Sequence, residues 1–290
     1  MSDDKKKIKV GMVLEGGSMR GMYTAGVLDV FMDEDIQVDG IIGVSAGALF
    51  GPNYFSRQRG RVIRYNKKFC KDRRYMSMRN LLLTGNIVGK QFAFYDVTTK
   101  HDIFDNETFM KNSTGFYATV TNVETGKAEY LELKDVLKDM EILRASSALP
   151  FFSELIEIDG QKYLDGGIAD SIPVKKCQEM GYDKIIVVLT RPIHFRKKEM
   201  SSGMVKLLRR RYKKYPKFIK RMENRSREYN QTVEEIIEME KRGEIFVVRP
   251  SEDINLKVIE REPENLQKVY ELGLKDAGNI MGKLKAYLEV

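Results

Sequence analysis

Cysteine and histidine are scarce in this chain of 290 residues, with two of each. Cys70 and Cys177 are too few for a disulfide framework and fit a reducing, cytoplasmic setting. No apolar run approaches the roughly 20 residues that a spanning helix needs; the longest near-apolar stretch lies at 41–52. The opening MSDDKKKIKV is charged and lacks the apolar core of a secretory leader. A soluble or membrane-peripheral chain is therefore expected. Neither an internal repeat nor a low-complexity linker breaks the sequence.

Hydrophobic residues make up 42% of the chain and charged residues 32%, enough to bury a large core in one α/β domain or two small ones. The net charge of +8 is uneven: residues 196–221 hold twelve Lys or Arg against Glu199 alone. Without that stretch the protein would be slightly acidic.

An apolar run at 8–14 reads as a strand, and the glycine-rich EGGSMRG follows it. Met22, Ala25, Val27, Leu28 and Phe31 then give one apolar face of a helix. Gly40 to Val44 reads as a second strand, leading into Ser45 and another helix. Strand, turn, helix, strand is the order of a parallel sheet with crossover helices. FYATVTNVETGKAEYLEL alternates with period two around Thr-Gly and predicts a hairpin, as does ELIEIDGQKYL around Asp159-Gly160. A helix is expected over 172–180, a buried strand over 184–189, a polar helix over 223–241, a strand over 244–248 and a closing helix over 264–288. Together they predict a three-layer α/β/α sandwich with a mainly parallel central sheet and a helical C-terminal extension.

Gly43-Val44-Ser45-Ala46-Gly47 matches G-x-S-x-G between a strand and a helix. A serine there sits on a strained elbow whose small flanking residues let strand and helix approach closely, with the positive end of the helix aimed at the reacting centre. A plain small-residue turn satisfies the same pattern. The loop Gly16-Gly17-Ser18-Met19-Arg20-Gly21 lacks the third-position glycine of a dinucleotide fingerprint and the Lys-Ser/Thr of a P-loop. What remains is either a tight turn or a row of backbone N–H groups suited to an oxyanion, a contribution of roughly 2.7–4 kcal/mol per donor.

A base for Ser45 has two sources. His194, beyond a strand in TRPIHF, is the credible histidine for a triad; His101 lies in the charged KHDIFDNE, which reads as a loop. The other source is a carboxylate acting directly: Asp165-Gly166-Gly167 follows a strand, and its glycines leave room for close approach. An Asp-Gly turn of no catalytic meaning also fits.

In combination, GGSMRG, GVSAG and DGG resemble, in that order, the oxyanion, nucleophile and D-G-[GA] motifs of the patatin-like phospholipases. The resemblance runs from about Lys7 to Pro192 and takes in ASSALPFF and DGGIADSIPV. It implies a Ser45–Asp165 dyad, which accounts for the missing triad histidine. It also implies an oxyanion and substrate-binding set of Gly16, Gly17, Ser18, Arg20, Gly21 and Ala46. Gly43, Gly47, Gly166 and Gly167 support those motifs. No metal or cofactor is implied. Ser18 replaces the family's usual third glycine, keeping a backbone N–H but narrowing its conformational freedom.

The implied activity is hydrolysis of acyl esters in phospholipids or related lipids through an acyl-enzyme. A small-ester or thioester hydrolase, and a regulatory relative without turnover, are the competing classes. The expected organisation is a catalytic domain at 7–193, a basic amphipathic segment at 194–222 and a mostly helical extension at 223–290. Arg196 to Arg221 interleaves cations with Met, Leu, Tyr and Phe, a pattern that suits an anionic membrane surface or a solvated helix on the domain. Nucleic acid is a poorer fit.

Overall fold

The structure is a computed structural model and describes residues 8–289. Its elements are β1 (Val10–Leu14), α1 (Gly21–Asp33), β2 (Gly40–Val44), α2 (Ala46–Phe50), α3 (Pro52–Phe55), α4 (Arg61–Phe69), α5 (Met78–Thr84), a π-helix (Lys90–His101) and α6 (Asn106–Asn112). After them come β3 (Phe116–Asn122), β4 (Ala128–Glu132), α7 (Met140–Ser146), β5 (Ile156–Ile158), β6 (Gln161–Asp165), α8 (Val174–Glu179) and β7 (Lys184–Val188). The chain then runs through α9 (Ser202–Arg211), α10 (Pro216–Lys241), β8 (Phe246–Val248) and α11 (Pro263–Glu289).

The strands form one sheet in the order β5-β6-β3-β2-β1-β7-β8, with β4 paired to β3. From β3 to β8 every pair along this path is parallel, while β4, β5 and β6 pair antiparallel. Alternation along the strands sorts two layers of side chains. Met12, Leu14, Ile41, Ile186 and Val188 face a core shared with α1, α4 and α11. Val13, Ile42, Ile185 and Val187 face a second core with Val174 and Cys177 of α8 and with Tyr229, Val233 and Ile236 of α10. This is the three-layer sandwich expected, and both predicted hairpins form.

Register on β3 decides where the site lies. Val44 at the end of β2 pairs with Thr119, and Asp165 at the end of β6 pairs with the next residue, Val120. Because β4 occupies the opposite edge at both positions, β6 takes over the edge that β2 leaves. Ser45 follows Val44, so the ends of β2 and β6 meet head to head.

The C-terminal region is integrated with this sheet. β8 extends it at β7, and α11 packs against α1, where Gly26 and Gly273 let the two backbones close together. The basic stretch divides into α9 and the start of α10, which is one helix from Pro216 through the boundary expected at 222–223. Pro216 starts that helix well because its missing N–H leaves nothing unpaired in a first turn. Leu208, Tyr212 and Phe218 anchor the segment in a third core with Leu164 and Ile168. His101, expected in a loop, instead ends the π-helix and packs 5.5 Å from the Phe69 ring and 5.3 Å from Phe92.

Candidate active site

Ser45 sits at φ 52°, ψ −115°, a backbone conformation that costs a non-glycine residue about 1–3 kcal/mol unless its surroundings hold it. The holding is visible on every side. A Cβ at Gly43 would lie 2.7 Å from Ala48 Cα, and one at Gly47 would collide with the Leu14 carbonyl. The small residues of G-x-S-x-G are therefore sterically required. Ser146 Oγ accepts the Ser45 N–H at 3.0 Å, so α7 fixes the elbow from outside.

The glycine loop lies directly on this elbow. A Cβ at Gly16 would be 3.0 Å from the Ser45 Cβ, and one at Gly21 would be 2.7 Å from that of Ala46. Gly17 packs against Thr190, whose Oγ1 donates to the Gly16 carbonyl at 3.0 Å. Ser18 has φ 50°, so the position where glycine was expected does use the left-handed region. Its hydroxyl reaches the Val258 carbonyl at 3.3 Å.

Asp165 is buried. Its Oδ1 accepts the Gly167 N–H at 2.8 Å, its N–H donates to the Ala148 carbonyl at 2.9 Å, and the Thr121 hydroxyl donates to its main-chain oxygen at 2.8 Å. A side chain at Gly166 would collide with the Thr119 carbonyl. Burial pushes the Asp165 carboxyl up from its ordinary value. Against it act the Ser45 hydroxyl first, then the Arg225 guanidinium, the Gly167 N–H and Lys197. Oδ2 is buried and has no hydrogen-bond partner among the described residues. Catalytic hydrogen bonds often tighten only when substrate binds.

Arg225 and Lys197 act on Asp165, and Arg20 and Arg191 act on Tyr229 behind them. Arg225 donates from Nε to the Gly167 carbonyl at 2.6 Å. Lys197 stands 3.9 Å over the Tyr229 ring, its main chain clamped in both directions by Asn230 at 2.7 and 3.0 Å. Burial, then Arg225, draws the Lys197 ammonium down to about 7. Burial, then Arg191, lowers Arg20, with Glu15 opposing. Glu15 accepts from the Tyr229 hydroxyl at 2.8 Å and from the Thr190 N–H at 2.6 Å, tying the start of the glycine loop to α10.

A cavity opens from Ser45 and Ala46. Apolar walls from Leu49, Phe50, Phe94, Val97, Phe104 and Met140 dominate it. The π-helix supplies one wall, and its wider turns are a rare geometry that recurs at functional sites. Neither histidine is among the described groups around Ser45 and Asp165: His194 is exposed and lies 3.3 Å from Asp253.

Sequence reasoning located the three loops but missed Ser146, Lys197, Arg225 and Tyr229. Ser146 stands in the ASSALPFF block, which was the available signal. The other three come from segments whose approach to the site depends on tertiary packing.

Comparison with known proteins agrees with this layout. The model of the Patatin-like phospholipase family matches residues 12–177, and that of a Domain of unknown function (DUF6363) matches residues 215–289. The chain is 29% identical over 189 residues to an uncharacterized protein, YjjU, of Escherichia coli (strain K12), covering 63% of this chain and 52% of that one. It is 29% identical to the lysophospholipase nte1 of Emericella nidulans over 62% of this chain and 12% of the fungal protein. The chain thus spans about half, or much less, of the length of these relatives. Among solved structures, VipD from Legionella pneumophila overlays with a TM-score of 0.45 at 12% identity, covering 96% of this chain and 67% of that one. That is too low to equate the folds. The family match spans more than half of the sequence, and the chain belongs to the patatin-like phospholipase family.

Proposed function

We propose that this protein hydrolyses acyl esters of lipids through Ser45 and Asp165. The observation that carries the reading is the register on β3, which brings the ends of β2 and β6 together at the head of an apolar cavity. Asp165 as carboxylate takes the Ser45 proton while Oγ attacks the ester carbonyl. The N–H groups of Gly17, Ser18 and Ala46 receive the oxyanion. Collapse of the tetrahedral intermediate breaks the ester bond, and protonated Asp165 returns its proton to the leaving alcohol. Water, deprotonated by the same carboxylate, then attacks the acyl-enzyme, and free fatty acid and Ser45 are regenerated.

The cavity favours a long acyl chain over a small ester, because its aromatic and aliphatic walls gain by excluding water from such a chain. The fungal relative's description as a lysophospholipase makes single-chain phospholipids the first substrates to try. The basic stretch supports contact with an anionic membrane: α9 exposes Met204 and Leu207 beside Lys206 and Arg209 to Arg211. Among the described residues, no helix is long and apolar enough to cross a membrane.

The test is fatty-acid release from lysophosphatidylcholine, phosphatidylcholine, phosphatidylglycerol and a short-chain nitrophenyl ester. Wild type should release fatty acid, and Ser45→Ala should lose at least roughly a thousandfold. Equal rates in both proteins would end the proposal.

A further inference from the structure

The most exposed large apolar side chains of the described residues are Leu82 and Leu83, at 83% and 71%, joined on α5 by Met78 at 52%. Not one residue of this seven-residue helix is buried. A helix so short gains little from its own hydrogen bonds and ordinarily depends on packing an apolar face. Here that face has nothing of the described chain against it.

The stem beneath it is well built. Met76 bridges antiparallel to Val88, the Ser77 N–H donates to the Ile87 carbonyl at 2.9 Å, and the Ser77 hydroxyl caps α5 at the Asn80 N–H. Gly85 closes the helix at φ 73°, where a left-handed residue turns the chain back. The Ile87 N–H donates to the Phe152 carbonyl at 2.8 Å, fastening the stem to the segment that follows ASSALP. Such anchoring presents the leucines on a firm projection. Met76, Ile87 and Val88 of the stem are also part of the wall of the cavity that begins at Ser45.

Charge identifies the occupant. Residues 73–95 contain Arg73, Arg74, Arg79 and Lys90 and no acid. Arg74 and Lys90 pair with Asp72 and Glu141, while Arg73 and Arg79 are exposed, Arg79 one turn from Leu82 and Leu83 on α5. Glu154, the carboxylate beside Gly85, accepts from Asn86 at 3.1 Å, so the exposed leucines and the two arginines match an anionic lipid surface, whose headgroups take the charges while the acyl region takes the apolar tips.

We propose that α5 is a membrane-insertion tip that seats the protein on an anionic bilayer with the wall of its acyl cavity against the lipid. The role in delivering substrate rests on the lipid-hydrolase reading, whereas the docking itself does not. The tip is separate in sequence from the basic stretch at 196–221, so the two can be removed independently.

The full chain and its Leu82→Asp/Leu83→Asp variant are compared by co-flotation with vesicles of phosphatidylcholine, alone or mixed with phosphatidylglycerol. Binding to the mixed vesicles should fall by roughly tenfold or more in the variant. Hydrolysis of lipid in those vesicles should fall with it, while turnover of a water-soluble nitrophenyl ester stays within about twofold. Arg73→Glu/Arg79→Glu should weaken binding to the mixed vesicles and leave the melting temperature unchanged. Undiminished vesicle binding by the leucine variant would overturn the proposal. So would a wild-type dimer that the variant converts to monomer, because a second copy would then cover the tip. If wild type cleaves no ester but still loses vesicle binding on the leucine change, the catalytic reading fails and the docking stands.

Discussion

Arg225 and Tyr229 stand one turn apart on α10 and reach the two loops that flank the nucleophile. Arg225 donates to the Gly167 carbonyl at 2.6 Å, and Tyr229 donates to Glu15, at the start of the glycine loop, at 2.8 Å. Both residues lie in the region that matches a domain of unknown function. One helical turn from that region therefore braces the Asp165 turn and the glycine loop together.

The brace has an electrostatic consequence. Burial raises the Asp165 carboxyl, and Arg225 is the foremost cation opposing it, with Lys197 behind. In the proposed mechanism Asp165 must be ionised to act as base, so activity should fall as pH drops through its value. Arg225→Met should raise that value and move the acid limb of kcat/KM to higher pH, and Arg225→Lys should move it partly back. A pH–rate profile of the three proteins checks this. A uniform loss without a shift would mean that Arg225 only packs.

A buried carboxylate whose value is raised by burial weakens the fold once it ionises. The Asp165 value is raised in the native state, so the folded protein is favoured at pH below the unfolded value and loses that advantage as pH rises through the folded one. At neutral pH, Asp165→Asn should therefore be inactive yet more stable, by about 0.5–2 kcal/mol. Urea denaturation beside an esterase assay reads both. Lower stability in the Asn variant would show that the charge is well compensated.

Lys197 gives a second pH signature. Its native value is drawn down to about 7 from 10.5, so between those values the folded chain holds fewer protons than the unfolded one. Stability should then rise with pH across that window. Lys197→Met should flatten the rise, as measured by urea midpoints at successive pH values; an unchanged slope would mean another group is responsible.

Ser18 carries backbone strain, with φ 50°. A left-handed conformation costs an L-residue about 1–2 kcal/mol, and glycine relieves that at some cost in unfolded-state entropy. Ser18→Gly should keep stability within about 1 kcal/mol of wild type and retain activity. Ser18→Val, β-branched at positive φ, should lose both, by thermal melting and ester turnover.

The parts of this architecture that are local in sequence were legible. Period-two alternation gave β3 with β4 and β5 with β6, and Gly43-Val44-Ser45-Ala46-Gly47 between apolar strand and helix gave the elbow. The order of the three glycine motifs carries the family resemblance, which implies Ser45 and Asp165, 120 residues apart, as partners. Nothing local could reveal that Arg225 and Lys197 face Asp165, because a basic residue in a basic stretch or on a polar helix carries no mark of where it packs. The π-helix at 90–101 escaped for a similar reason: its apolar residues follow neither the helical nor the strand period, so His101 read as a loop residue. The break between α9 and α10 had a sign in Pro216, hidden by continuous positive charge on both sides.

The nucleophile assignment is tested most directly by intact-mass and peptide analysis after treatment with a fluorophosphonate. Wild type should gain one adduct, on the peptide carrying Ser45. Ser45→Ala should gain none, and Asp165→Asn should label far more slowly while keeping its circular dichroism. Labelling of Ser45→Ala at the wild-type rate, or an adduct on another serine, would contradict the account.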